Sequence, residues 1–167
     1  INEAFFRGMN VDKYQLESYI CELNKEILDI EKEIYEDKQV KWFCDQELYK
    51  RERIHDKKQP PYLTKKGEVS ARYIKWEEKA NKLLESSPKD LFNLNSKKKL
   101  IEFFTDIYDV EIFRANFSNK VRWHTDEGEF VSNATPNGKV KVDKSVLPKL
   151  GKVGRLIDKM NGIIKLR

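Results

Sequence analysis

The sequence predicts a mainly α protein, built of long helices packed side by side at a shallow angle with one short irregular or β-hairpin segment. Apolar residues recur at steps of three and four in three separate stretches, and residues 110–133 lack that period. Only 7 Gly and 5 Pro occur in 167 residues, too few for a fibrous or low-complexity chain, and the length suits a single domain spanning 1–167 with a real core.

The first helix opens at Asp12, an N-cap type, with Gln15 three residues later completing a capping-box pattern. Its stripe is Leu16, Ile20, Leu23, Ile27, Ile30 and Ile34. Such spacing keeps one apolar face toward a neighbour, and its mean of about 3.5 suits shallow helix packing. Gln59-Pro60-Pro61-Tyr62 followed by Lys65-Lys66-Gly67 ends helical structure and predicts an exposed loop. A second stripe follows at Val69, Tyr73, Trp76, Ala80 and Leu83, and Ser86-Ser87-Pro88 breaks it. Ser96 is a good N-cap for a helix from Lys97 to Tyr108, whose apolar face is Leu100, Ile101, Phe103, Phe104 and Ile107. Beyond it, Phe113, Phe117, Val121, Trp123 and Phe130 alternate loosely with polar residues, which reads as irregular chain with one short hairpin. Thr135-Pro136-Asn137-Gly138 is a turn signal. The third stripe is Val146, Leu150, Val153, Ile157, Met160 and Ile164.

No run approaches the ~18 apolar residues of a membrane span. Ile1-Asn2-Glu3-Ala4 carries no charged-then-apolar targeting region, and Cys21 and Cys44 make no disulfide framework. A reducing, cytoplasmic setting is expected, with no membrane partner. The chain opens on Ile1 rather than Met and stops at Arg167 inside a helical pattern, so a piece of a larger protein is expected.

Lys+Arg outnumber Asp+Glu by 33 to 28, for a net charge of +5. Residues 11–49 carry 5 Lys against 11 acidic residues, while residues 50–89 carry 12 Lys+Arg against 6. An acidic segment followed by a basic one fits a surface that faces an anion, or else plain solvated helix faces.

Catalytic signals are missing. His55 and His124 have no Cys or second His at a metal spacing, and each reads as an ordinary surface residue. No phosphate-cradling Gly loop or nucleophile elbow occurs. Binding is better supported: Lys97, Lys98 and Lys99 crowd the first turn of a helix, where the dipole favours anions instead. Free backbone N–H groups, the Ser96 hydroxyl and these lysines form a candidate phosphate site. The bland alternative is three solvated lysines.

Four motifs carry a resemblance. Glu3, Gly8, Val11 and Asp12 before a long helix resemble the start of the thumb of family A, bacterial polymerase I-like, DNA polymerases. Phe92-Asn93-Leu94-Asn95-Ser96 with Leu100 is similar to that family's Phe-Asn-Leu-Asn-Ser segment, and is the most specific match. Thr135-Pro136-Asn137-Gly138 with Val146, Leu147 and Leu150 resembles its Thr-x-x-Gly turn and following helix, and Ile163-Ile164-Lys165-Leu166-Arg167 its Lys-Leu-Lys passage into the palm. The matches fall in order along the chain and leave out about residues 40–90 and 111–133.

The resemblance implies a thumb subdomain of phage or prophage type, in which the helix from Asp12 and the helix ending at Arg167 form an antiparallel stalk. It implies DNA contacts at Asn95, Ser96, Lys97, Lys98, Lys99, Thr135, Lys139, Lys165 and Arg167 along the backbone of a primer–template duplex, without reading its sequence. The catalytic aspartates and their Mg2+ would lie in a palm after this piece, so the parent is expected to be a DNA-directed nucleotidyltransferase. The piece itself is expected to hold no catalytic residue, no metal and no cofactor.

Two departures stand out. The family's usual Arg four residues before the Lys of Lys-Leu is Asn161 here, so its duplex contact is not carried over. About 50 extra residues, at 40–90, separate the first long helix from Phe92-Asn93-Leu94-Asn95-Ser96. This insert brings Arg51, Arg53, Lys57, Lys58, Lys65, Lys66 and Arg72 around an exposed Tyr62. Some phage replicases dock a processivity protein at this place; gripping DNA directly, or merely lengthening the stalk, are the other readings. Without the resemblance, the chain reads as a stand-alone helical protein–protein interaction module.

Overall fold

The computed structural model describes residues 12–166. It is mainly helical, 59% helix, with a small three-stranded antiparallel sheet. In chain order the elements are α1 (Lys13–Glu36), α2 (Lys38–Asp56), α3 (Ala71–Leu84), α4 (Pro88–Leu91), α5 (Lys97–Ile107), β1 (Asp109–Ala115), β2 (Ser118–Thr125), β3 (Gly128–Asn133), a 3-10 turn (Leu147–Lys149) and α6 (Gly151–Leu166).

The predicted cap on α1 is present: the Asp12 carboxylate accepts from the N–H groups of Tyr14 and Gln15 at 2.9 and 3.4 Å. Leu23, Ile30 and Ile34 of α1 are buried, and Val153, Ile157, Met160 and Ile163 of α6 are buried opposite them. Two ion pairs give the direction. Lys152 meets Glu33 at 2.9 Å, and Lys159, seven residues on, meets Glu26, seven residues back, at 2.8 Å. The two helices therefore run antiparallel. Gly154 permits the close turn onto α6, because a Cβ there would strike the Leu147 carbonyl oxygen and the Leu150 side chain.

One apolar step continues across an unpredicted break. Asp37 is extended (φ −63°, ψ 140°) and its carboxylate accepts from the Gln39 N–H at 2.9 Å, so it ends α1 and caps α2. A short acidic side chain that bonds its own downstream N–H competes with helix continuation. Val40, Phe43 and Cys44 of α2 then enter the core. Phe43 packs edge-on against Phe92 and Phe103 at centroid distances of 5.5 and 5.4 Å. Burial pushes the Cys44 thiol up to about 11, helped by Asp45 and Glu47.

Helix α3 buries none of its residues. It is held by an aromatic ladder that runs from the preceding loop to α2: Tyr62 lies edge-on to Tyr73, Tyr73 tilts against Trp76, and Trp76 stacks on His55 of α2 at 4.6 Å. The Trp76 indole N–H also donates to the His55 carbonyl at 3.0 Å. His55 is thus a packing residue rather than a surface one, its side chain only 12% exposed. The expectation failed because its partner lies 21 residues away.

Residues 110–133 form three strands rather than irregular chain with a single hairpin. Strand order is β1-β2-β3, all antiparallel, with Asp109 opposite His124 and Val121 opposite Ser132. Val121 and Trp123 face the core; Trp123 stacks on Phe130 at 6.1 Å and donates to the Ser132 hydroxyl at 3.0 Å. The third stripe also needs correcting. Val146–Leu150 belong to the 3-10 turn and its flanks, α6 starts only at Gly151, and Ile163 rather than Ile164 completes the buried face.

Candidate nucleic-acid interface

The Phe92–Lys99 segment is built by alternation. Phe92 and Leu94 are buried, while Asn93 and Asn95 face solvent. The Tyr35 hydroxyl, from α1, donates to the Phe92 carbonyl at 3.0 Å and fixes the segment. Burial, then the nearby Glu31, push that phenol up to about 12. Asn93 Oδ1 accepts from the Asn95 N–H at 2.9 Å, and the Ser96 N–H donates to the Asn93 carbonyl at 3.0 Å. Ser96 then caps α5, accepting from the Lys99 N–H at 3.4 Å.

The three lysines separate by role. Lys97 and Lys98 are exposed, and Lys98 makes only a surface pair with Glu102 at 3.8 Å. Lys99 instead turns inward to Glu47 of α2, and meets Glu102 at 2.8 Å. Glu47 is buried, its side chain 11% exposed, and also receives Lys50 at 3.0 Å. Burial pushes the Glu47 carboxyl up, but the Lys99 and Lys50 hydrogen bonds outweigh it and hold it below the ordinary value. Burial likewise pulls Lys99 down, and Glu102 and Glu47 raise it overall. Lys99 is therefore committed to joining α5 to α2. The cations left facing solvent at this helix N-terminus are Lys97 and Lys98.

Thr135 and Lys139 share one turn. The Gly138 and Lys139 N–H groups donate to the Thr135 carbonyl and hydroxyl, both at 2.9 Å, and the Thr135 N–H donates to the Lys139 carbonyl at 2.9 Å. Gly138 has φ +70°, the conformation its place in the turn signal anticipates. Asn119 of β2 donates to the Pro136 carbonyl at 3.1 Å, so this turn rests against the β1–β2 end of the sheet. Lys165 lies in the last turn of α6, roughly 20 Å along the helix from Lys152 at ~1.5 Å per residue. Arg167, Glu3, Gly8 and Val11 lie outside the described residues.

In the 40–90 region, Arg51 donates to the Asp90 carbonyl at 3.1 Å and Arg53 lies over the Tyr49 ring at 5.8 Å. Lys57, Lys58, Lys65, Lys66 and Arg72 are exposed and have no ion-pair partner among the described residues. They gather where α2 ends, along the Pro-rich loop and where α3 begins, beside the aromatic ladder. The candidate residues thus occupy four places: the first turn of α5, the turn after β3, the end of α6 and the α2–α3 connection.

Sequence reading missed a further cationic place, the β1–β2 end of the sheet, with Arg114 and Lys120 flanking Asn116 and Phe117. The flanking cations and the turn-forming Asn116 were the available signal.

Among the described residues no group of three His, Cys, Asp or Glu side chains could hold a metal ion, and no helix is long and apolar enough to cross a membrane. A cleft of about 540 Å³ between the α1–α2 corner, the β2–β3 turn and the start of α6 is lined by five carboxylates (Glu33, Glu36, Asp37, Asp126, Glu127) and three cations (Lys38, Lys152, Arg155), a mixed and net acidic lining unsuited to phosphate. No family model, curated protein or solved structure matches this chain.

Proposed function

We propose that the chain is a DNA-binding thumb fragment of a family A DNA polymerase, gripping the backbone of a primer–template duplex without sequence preference. The observation that carries the reading is the Phe92–Lys98 segment. Its buried Phe92 and Leu94 anchor it, leaving Asn93, Asn95, Lys97 and Lys98 outward at the N-terminus of α5. Outward amides, ammonium groups and a helix N-terminus are the groups that hold phosphate. The antiparallel α1/α6 pair supports the stalk of a thumb-like helical hairpin. The unpaired cations of the 40–90 region would lengthen the grip, or receive a processivity factor. The parent would be the nucleotidyltransferase, with its Mg2+ held in a palm beyond this piece.

Fluorescence anisotropy of a blunt labelled duplex at ~50 and ~200 mM salt tests the reading. Each phosphate neutralised contributes about 0.9 to the slope of log K against log salt. The double variant Lys97→Ala/Lys98→Ala is expected to flatten that slope by about 2. An unchanged slope would remove the α5 turn from the interface.

One observation favours a second reading, a helical protein–protein interaction module: α3 buries nothing and exposes Ile74 and Leu84. In that case Ile74→Asp would abolish partner capture while duplex affinity stayed indifferent to Lys97 and Lys98.

A further inference from the structure

We propose that the β1–β2 hairpin end is a second nucleic-acid site, in which Phe117 stacks on an unpaired base beside a duplex end. Phe117 is 97% exposed, the most exposed of the large apolar side chains among the described residues. It also sits at φ +60°, next to Asn116 at φ +49°. A left-handed backbone suits Asn and Gly but strains a bulky aromatic residue. Burial does not explain Phe117, and turn geometry disfavours it; a contact outside the chain explains both.

Charge gives the class of that contact. The sheet is polarised along its strands. Segments 112–120 and 133–142, at the β1–β2 end, contain Arg114, Lys120, Lys139 and Lys141 and no Asp or Glu. The opposite end carries Asp109, Asp126, Glu127 and Glu129, where Arg155 and His124 meet Glu127 and Glu129 at 2.8 Å. At the cationic end, Lys141 pairs with Asp143 and Lys120 donates to Asn133. Arg114 and Lys139 have no ion-pair partner among the described residues and are exposed. The Asn119–Pro136 hydrogen bond holds the Lys139 turn against this same end. An aromatic face among unpaired cations fits a ligand that joins π-faces to phosphates, which is a nucleic-acid strand. A single ring at a hairpin tip reaches a base only where that base is unpaired, hence at a fray or overhang. The site shares its ligand class with the duplex-grip reading but none of its lysines on α5.

The test compares a blunt duplex with the same duplex bearing a three-nucleotide overhang, 2-aminopurine occupying the first unpaired position. The full chain is expected to quench the 2-aminopurine and to prefer the overhang. Phe117→Gly is expected to abolish the quenching and weaken overhang binding roughly 5- to 150-fold, the range of one base stack, leaving blunt-duplex affinity within about twofold. Phe117→Trp is expected to restore both. Phe117→Gly also relieves the left-handed strain, so its melting temperature is expected to hold or rise by about 2 °C. A lowered melting temperature would make Phe117 a packing residue and overturn the proposal. So would unchanged overhang binding, or a loss seen on phosphatidylserine vesicles and not on DNA. Blunt binding without quenching sinks this site alone; overhang binding with quenching but no blunt binding sinks the duplex-grip reading alone.

Discussion

Replacing Glu47 or Lys99 separates lysines that hold the fold from lysines left facing solvent. Glu47 is 11% and Lys99 24% exposed at the side chain, and the two face each other across α2 and α5. Breaking a fully buried pair by removing one partner costs about 3–5 kcal/mol, since a buried charge is left alone. Here the figure is smaller. Lys99 keeps Glu102 at 2.8 Å and some water, and Glu47 keeps Lys50 at 3.0 Å. We expect Lys99→Met and Glu47→Met each to destabilise by about 2 kcal/mol, and the Glu47→Met/Lys99→Met pair to recover at least half of the summed loss, because no charge then remains buried and unpaired. For a chain of this size that is a fall of roughly 4–8 °C in melting temperature for each single variant. Lys97→Ala and Lys98→Ala, on an exposed turn, should stay within about 0.5 kcal/mol. Urea denaturation followed by circular dichroism gives all of these. Strictly additive losses, or losses under about 0.5 kcal/mol for Lys99→Met, would refute the assignment and return Lys99 to the candidate interface.

Gly154→Ala should destabilise by about 2 kcal/mol or more, because the new methyl group meets the Leu147 backbone and the Leu150 side chain, neither of which can yield cheaply; thermal melts that match the parent would deny the close approach. Tyr35→Phe should lose about 1 kcal/mol with the hydrogen bond to the Phe92 carbonyl, and loosen hydrogen exchange at Asn93–Ser96. Stability should fall in acid. Glu47 is held below its ordinary 4.5, and Asp143, through hydrogen bonds from Lys141 and Ser145, is drawn from 3.8 to about 2. Depressed carboxyls stabilise above their unfolded values and lose that contribution as pH drops through the folded ones, so the decline belongs between about pH 4.5 and 2. Urea midpoints that stay level from pH 6 to 2.5 would contradict it.

Local signals were legible and tertiary ones were not. The caps at Asp12 and Ser96, and the bounds of α5, follow from side chains bonding backbone a few residues away. The break at Asp37 was hidden because apolar residues continue on both sides, from Ile34 to Val40 and Phe43, and the stripe alone does not mark where a backbone turns. The sheet was hidden for two reasons. Only β2 alternates cleanly, with Val121 and Trp123 inward, and its first turn uses Asn116-Phe117 in place of the Asn-Gly that announces a hairpin. Val146 and Leu150 kept helical phase although they flank a 3-10 turn and lie outside α6. Lys99 differs from Lys97 and Lys98 only through Glu47, 52 residues away, a pairing that composition and spacing do not encode.

That pairing shows how the uneven charge of the chain is used. The acidic excess of residues 11–49 is not a separate acidic face, because later lysines come back to it. Glu26 and Glu33 meet Lys159 and Lys152, Glu31 meets Lys89, and Glu47 meets Lys99. Each such contact withdraws one acid and one base from the outer field. Exposed cations without an ion-pair partner among the described residues include Lys97 on α5, Lys57, Lys58, Lys65, Lys66 and Arg72 around the α2–α3 connection, and Arg114 and Lys139 at one end of the sheet, with others such as Lys25, Lys41, Lys79, Lys82 and Lys144 spread elsewhere. A net charge of +5 would be a weak steering field if it were spread over the whole surface. Where cations cluster, as Lys57, Lys58, Lys65, Lys66 and Arg72 do, they act as a local field over distances of about one Debye length, ~8–10 Å in physiological salt. Lysines that stabilise the fold by pairing with α1 and α2 therefore also offset part of the acidic excess of that segment. Reversing one of them, as in Lys159→Glu, would weaken the α1/α6 seam by setting a second carboxylate against Glu26.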